Sequence, residues 1–166
     1  MVSDKNIIEQ QVKRLQANLL AIRKIAGWTA QDLGDRIGVT KQTISNLENG
    51  KSKLTQTQYI AIRAVLDYEI QNNKENTVLP QVIEILLNDE NEDEFDEEKE
   101  KQITSAVNTV AATAAGGIAG AQLAAVAGAV LLPLVGPVGM VGGAILGAGL
   151  GWLNPFMKNK KSKEIY

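Results

Sequence analysis

The stretch LGDRIGVTKQTISNLENGK, residues 33–51, decides the fold of the first half of the chain. Apolar residues recur in it at steps of three and four, which is typical of one face of a helix. The spacing predicts two short helices, Ala30–Ile37 and Lys41–Asn49, separated by Gly38 and Val39. So short a connection forces the two helices to cross steeply, as they do in a helix-turn-helix.

Residues that favour helix ends stand before both predicted helices and in the turn between them. Thr29 and Thr40 can cap the two helices, because a threonine hydroxyl accepts a backbone N–H hydrogen bond at a helix N-terminus. Gly38 can adopt the positive φ that a tight turn after a helix requires. The local signals therefore agree with the apolar spacing.

Three further helices are predicted outward from the motif by the same apolar spacing. They cover residues 4–26, 55–72 and 78–87, and Pro80 suits the first turn of the last one. Residues 1–87 are therefore predicted to form an all-α domain of five helices.

The outer face of the second motif helix carries side chains of the lengths that read base edges in the major groove of DNA. They are Lys41, Gln42, Thr43, Ser45 and Asn46. Lys51 and Lys53 follow at once and suit contacts with phosphate groups. The pattern therefore indicates a surface that binds nucleic acid.

The stretch from about Leu15 to Leu66 resembles the Cro/C1-type helix-turn-helix domain of phage repressors and bacterial regulators, and ISNLENG, residues 44–50, is its most diagnostic part. The resemblance implies binding to double-stranded DNA, and the modest net charge of +2 on residues 1–87 suggests a dimer that reads two half-sites. It implies base-reading side chains at Lys41, Gln42 and Asn46. It implies contacts to the DNA backbone from Thr43, Ser45, Asn49, Lys51 and Lys53. It also implies a structural pair, Arg23 with Glu48, that holds the recognition helix.

Two residues depart from the pattern of that family. Ala30 stands where the family usually opens its helix with Gln, so the resemblance does not imply the phosphate contact of that Gln here. Gly34 replaces the usual Ala at the helix crossing, where it fits closely but weakens the helix by about 0.5–1 kcal/mol.

The chain of 166 residues has no Cys and no His. Their absence excludes disulfides, cysteine nucleophiles, Cys/His zinc sites and Ser-His-Asp triads. We therefore expect a binding protein rather than an enzyme, with no cofactor and no metal site.

The net charge of −2 hides an uneven distribution along the chain. Residues 1–87 carry +2, whereas residues 88–101 hold nine acidic side chains and two lysines. Such a run of like charges is predicted to be an extended or loosely helical linker. The alternative is a strip that mimics DNA and competes for the basic face.

Residues 102–157 contain no charged side chain, and this block is predicted to be a hairpin of two membrane helices. Segments 106–132 and 138–157 are each long enough to cross a bilayer. Small residues recur at every fourth position, as in glycine-zipper membrane segments, and predict a close helix–helix seam. The seam glycines are Gly116, Gly120, Gly128, Gly139, Gly143, Gly147 and Gly151.

The lysines that flank this block predict its orientation. Lys99 and Lys101 precede it, and the basic tail of residues 158–166 follows it. The positive-inside rule then places the head and both termini in the cytoplasm of a prokaryote, with the hairpin in the cytoplasmic membrane. The alternative is a low-complexity Ala/Gly segment that packs within a soluble oligomer.

Together these patterns predict a membrane-anchored, sequence-specific DNA-binding transcriptional regulator that forms a homodimer or higher homo-oligomer. One alternative is a membrane-perturbing or pore-forming effector whose helix-turn-helix head is autoregulatory or docks a partner. Another is a helix-turn-helix that serves as a protein-interaction module.

Overall fold

The computed structural model describes residues 4–88, 97–135 and 150–158, and every regular element in these ranges is helical. The helices are α1 (Asp4–Ile25), α2 (Ala30–Ile37), α3 (Lys41–Glu48), α4 (Gln56–Asn72), α5 (Val78–Ile83), α6 (Glu97–Ala115), α7 (Gly120–Val135) and α8 (Asn154–Lys158). A π-helical turn, Glu84–Asn88, extends α5, and a short 3-10 turn, Gly151–Leu153, precedes α8.

Helices α1 to α4 lie within a residue or two of the predicted positions, because local capping chemistry fixes their ends. The hydroxyls of Thr29, Thr40 and Thr55 each accept a backbone N–H at the start of α2, α3 and α4. Gly27 and Gly38, which follow α1 and α2, have φ values of 78° and 76°. Glycine takes this left-handed conformation without the strain that a side chain brings.

The fifth helix differs from the prediction of one continuous helix over residues 78–87. Its hydrogen bonding changes to the π type at Glu84. Its start is held by Asn76, whose Oδ1 accepts from the Leu79 N–H at 3.1 Å and whose Nδ2 donates to the Ile25 carbonyl at 2.8 Å. Asn76 thereby joins the beginning of α5 to the end of α1.

Helix α1 is the centre of the molecule, since α3, α4, α5, α6 and α8 all contact it. Helix α6 lies along α1 and forms a hairpin with α7. The buried residues of both halves make one cluster, which reaches from Leu15 and Ile22 of α1 to Val107 of α6 and Leu131 of α7. The described residues of the uncharged part, 102–135 and 150–157, thus bury apolar side chains against protein.

Helix α6 begins at Glu97, inside the stretch predicted to be a linker. The Arg14 side chain of α1 lies 3.4 Å from the carboxylate of Glu100, so charged residues of that stretch also face the first half. Residues 89–96, the rest of the acidic run, lie outside the described residues.

The prediction that Gly116 and Gly120 lie on one face of a single helix over residues 106–132 is wrong. Helix α6 ends at Ala115, and a turn of four residues leads into α7. Gly117 and Gly120 have φ values of 90° and 63°, and this pair of left-handed residues reverses the chain. Among the other seam glycines, Gly128 lies half-buried in α7 and Gly151 is exposed in the 3-10 turn, while Gly139, Gly143 and Gly147 lie outside the described residues.

No helix within the described ranges is both long and apolar enough to cross a bilayer. Helix α7 has 16 residues, which extend about 24 Å at 1.5 Å per residue against a hydrocarbon layer of about 30 Å. Helix α6 has 19 residues, but its first five, 97–101, are all charged. The predicted location in a cytoplasmic membrane is therefore contradicted, and the predicted membrane anchoring is not supported. Most of the second predicted span and of the basic tail, residues 136–149 and 159–166, lies outside the described residues.

The segment of residues 150–158 packs on the first half of the chain through an aromatic cluster. The ring of Phe156 stacks on Tyr59 of α4 with centroids 5.3 Å apart, and Trp152 lies edge-on to both rings. Trp152 Nε1 donates to Asp67 Oδ2 at 2.6 Å, beside the buried Arg63. Burial raises the pKa of Asp67, and it also raises the pKa of Tyr59. The end of the described chain is thus fixed to α4.

Candidate nucleic-acid interface

The turn between α2 and α3 is built from Gly38, Val39 and Thr40. Gly38 has φ 76° and ψ 32°, and the Val39 N–H then donates to the Gly34 carbonyl at 2.9 Å. Thr40 Oγ1 accepts from the Thr43 N–H at 3.1 Å and so starts α3. Val39 is half-buried and packs against the core between the two helices. These contacts fix the angle at which α3 leaves α2.

Gly34 is required by the close approach of α2 to this turn. A Cβ at this position would lie 2.6 Å from the Val39 carbonyl oxygen and 3.3 Å from the Thr40 carbonyl carbon. Both are backbone atoms, so a side chain cannot be accommodated by a rotamer change. The sequence indicated that glycine fits closely here at a cost in helix propensity, and the structure shows that the crossing leaves no room for alanine.

Helix α3 presents a polar side outward and an apolar side inward. Ile44 and Leu47 are 0% and 1% exposed, which holds the helix on the core. Lys41 and Gln42 are exposed at its start, and Asn46 lies one turn after Gln42. The Gln42 Nε2 donates to Asn46 Oδ1 at 3.0 Å, so the two amides are already oriented together without a ligand.

The side chains predicted to contact the DNA backbone lie on α3 and on the loop directly after it. Thr43 Oγ1 is 3.0 Å from Thr40 Oγ1, and Asn49 Nδ2 donates to Ser45 Oγ at 3.3 Å. Lys51 and Lys53 are exposed in the loop. The eight predicted DNA-contacting residues thus lie on α3 and on the loop that directly follows it.

Arg23 and Glu48, the predicted structural pair, are in contact. The guanidinium holds both carboxylate oxygens, with Nη2 donating to Oε2 at 3.2 Å, and Arg23 Nη1 donates to the Trp28 carbonyl at 2.8 Å. Both side chains are mostly shielded from water. The end of α3 is thereby connected to α1 and to the segment that enters α2.

The entry into α2 is held by Thr29 and Asp32, which bond each other reciprocally. The Thr29 N–H donates to Asp32 Oδ2 at 2.7 Å, and the Asp32 N–H donates to Thr29 Oγ1 at 3.0 Å. The backbone hydrogen bond from Thr29 lowers the pKa of the Asp32 carboxyl. The Arg36 guanidinium lies 4.4 Å from the centre of the buried Trp28 ring, which joins α2 to the same segment.

Gln16 is a residue of this region that sequence reasoning missed. Its side chain forms three hydrogen bonds with backbone groups of Leu47, Ser52 and Leu54, at the end of α3 and in the following loop. These partners are 31 to 38 residues away along the chain. No local pattern could have found the contacts, because a glutamine between two apolar residues of an amphipathic helix is ordinary.

The described residues contain no group of three or more Asp or Glu side chains arranged to hold a metal ion. The chemistry of the α3 surface is that of amides, hydroxyls and lysines. These groups donate and accept hydrogen bonds and carry positive charge, which are the interactions that base edges and phosphates offer.

Comparison with known proteins gives a match for part of the chain. No curated protein and no solved structure matches it significantly. A family model described as Helix-turn-helix matches residues 19–71, about a third of the chain, and this range includes α2, the turn, α3 and nearly all of α4. The match supports a helix-turn-helix DNA-binding domain, of the kind found in transcriptional regulators, in this part of the chain.

Proposed function

We propose that the protein is a sequence-specific transcriptional regulator that places α3 in the major groove of double-stranded DNA. The observation that carries this proposal is the rigid α2–turn–α3 unit, with the left-handed Gly38 at its corner and a polar face on α3. A helix held in this way by its neighbours can enter the groove with its first residues against the bases.

Gln42 and Asn46 are proposed to read bases as a joined pair. One Nε2 proton of Gln42 is used by Asn46 Oδ1, which leaves the other proton and Oε1 for a base. A donor beside an acceptor is the arrangement that adenine recognises in the major groove, and a lysine suits guanine. We therefore expect an A·T pair opposite Gln42 and a guanine near Lys41.

The remaining polar residues of the segment are proposed to position the protein on the DNA backbone. Hydroxyl, amide and ammonium groups bond phosphate oxygens without reading sequence. In this role we place Thr43, Ser45, Asn49, Lys51 and Lys53.

A homodimer is proposed because one copy offers few phosphate contacts. Residues 1–87 carry a net charge of only +2, and affinity for DNA grows with each neutralised phosphate. Two copies double the contacts and read two half-sites about one helical turn apart. The operator is therefore expected to have two-fold symmetry.

The test is selection of binding sites from a random duplex library with the full chain, followed by mobility-shift titration of the enriched duplex. Gln42→Ala and Asn46→Ala should each weaken binding about 5- to 150-fold, as expected for loss of a bidentate base contact. Gln10→Ala, an exposed glutamine on α1, is the matched control and should bind as the wild type does.

Two outcomes of this experiment would overturn the proposal. If no sequence is enriched, the domain does not read DNA, and a protein-interaction role takes its place. If a sequence is enriched but both α3 variants keep full affinity, another surface binds the DNA.

A further inference from the structure

The loop of residues 49–55, here called the lysine loop, carries Lys51 and Lys53 and joins α3 to α4. We propose that Gln16 of α1 is a positioning residue that holds the lysine loop where both lysines meet DNA phosphates. This inference rests on the proposed function, since it concerns the DNA surface described above.

The Gln16 carboxamide forms hydrogen bonds with backbone groups on both sides of the lysines. Its Nε2 donates to the Leu47 carbonyl at 3.0 Å and to the Ser52 carbonyl at 2.7 Å. Its Oε1 accepts from the Leu54 N–H at 2.9 Å. Both donor protons are thus in use, and the partners lie before and after each lysine in the chain.

The first half of the lysine loop is closed on α3 itself. Gly50 has φ 70°, and the N–H groups of Lys51 and Ser52 both donate to the Asn46 carbonyl, at 2.9 and 3.3 Å. The second half is held by the buried Leu54 side chain and by Gln16. Gln16 therefore connects the half that carries Lys53 to α1, the central helix.

Loss of this clamp should act on phosphate contacts and spare base reading. Helix α3 keeps its own anchors, the buried Ile44 and Leu47 and the Arg23–Glu48 pair. The lysine loop would instead exchange three protein hydrogen bonds for water and sample more positions. Each phosphate contact contributes about 0.9 to the slope of log K against log salt concentration, so loss of two contacts should lower the slope by up to about 2.

The experiment measures binding of the full chain to a labelled 30-base-pair duplex of mixed sequence by fluorescence anisotropy, at several KCl concentrations. Gln16→Met keeps the length of the side chain and removes all three hydrogen bonds. It is compared with Lys51→Ala/Lys53→Ala and with the combination of the three changes. Gln10→Met, on the exposed side of α1, is the matched control.

We expect Gln16→Met to lower the salt slope by about 1–2, as the lysine double variant does. The combined variant should show no further loss, because Gln16 acts through the lysines, and Gln10→Met should retain the wild-type slope. Hydrogen exchange supplies an independent measurement: the Leu54 N–H should exchange faster in Gln16→Met, while N–H groups in the middle of α1 and α4 keep their protection. Gln16→Glu, which keeps only the accepted bond, should lose slope as well and serves if Gln16→Met does not fold.

The outcomes separate this inference from the function on which it rests. A wild-type slope in folded Gln16→Met, with a reduced slope in the lysine variant, overturns the role of Gln16 and leaves DNA binding intact. If Gln16→Met lowers the salt slope equally in the wild type and in the lysine double variant, Gln16 does not act through the lysines. This result also overturns the proposed role of Gln16. Absence of salt-dependent DNA binding in the wild type overturns the proposed function, and the inference falls with it.

Discussion

Replacing Phe156 with alanine is expected to destabilise the helix-turn-helix part of the chain, although Phe156 lies more than 80 residues beyond it. The ring is 5% exposed and stacks on Tyr59 of α4, which is itself 0% exposed. Removal of a buried phenylalanine side chain costs about 3–5 kcal/mol, because a cavity replaces its contacts. Since Tyr59 belongs to the same core as α1 and α4, the loss should be felt by the whole cluster.

The two tryptophans of the chain allow the two parts to be followed separately. In a Trp28→Phe background the fluorescence reports on Trp152, and in a Trp152→Phe background it reports on Trp28. With a urea dependence of about 2 kcal/mol per molar, Phe156→Ala should lower both midpoints by about 1.5–2.5 M. Met157→Ala is the control, since Met157 is 60% exposed and a surface change should shift the midpoint by about 0.3 M or less.

One result would refute this reasoning. If Phe156→Ala shifts the transition seen at Trp152 and leaves the transition at Trp28 in place, residues 150–158 unfold as a separate unit. The single core described above would then be wrong in its C-terminal part, and the first half would be independently stable.

Three further changes are expected to have effects of predictable sign. Gly34→Ala should lower the free energy of unfolding by about 1–2 kcal/mol, since the clash with the Val39 carbonyl outweighs the gain in helix propensity. A urea midpoint above that of the wild type would contradict this expectation. Glu48→Ala should cost about 3 kcal/mol and weaken DNA binding, because Arg23 is left largely buried without its carboxylate. Asp32 has a lowered pKa in the folded state, so the stability that its carboxylate contributes is present above its unfolded pKa and is lost as the pH falls through the folded pKa. Asp32→Asn should lack this part of the acid dependence of the urea midpoint.

Matched variants give the scale for these measurements. Ala64→Gly, at an exposed position inside α4, should cost about 0.5–1 kcal/mol and reports the helix propensity difference without a clash. Asp35→Asn makes the same acid-to-amide change on the exposed side of α2 and is the matched control for Asp32→Asn. A profile altered equally by Asp35→Asn and Asp32→Asn would show that the capping bond is not its source.

The helix-turn-helix could be predicted from sequence because the forces that form it are local. Apolar residues at steps of three and four place Ile44 and Leu47 on the core, and Thr29 and Thr40 cap the helices that follow them. Gly38 adopts the left-handed turn that its position requires. Each of these signals acts within one or two turns of chain, so neighbouring residues suffice to reveal it.

The contacts that complete the site could not be predicted, because they join distant parts of the chain. Gln16 reaches groups 31 to 38 residues away, and Trp152 donates to Asp67 across 85 residues. The need for Gly34 likewise arises only when two elements approach, since the obstructing atom belongs to Val39 in the turn.

The sequence by itself determined that residues 102–157 lack charge and must bury apolar surface, but it did not determine against what. Lipid and a protein core both accept uncharged helices, so the lack of charge, which we interpreted as membrane spans, does not separate the two. The tertiary structure decided the question for the described residues: α1 offers a second face on which α6 packs, and Gly117 and Gly120 turn α7 back against α6. Local spacing fixes which residues form helices and which face is polar, whereas the partner of an apolar face is fixed only by the helices that close on it.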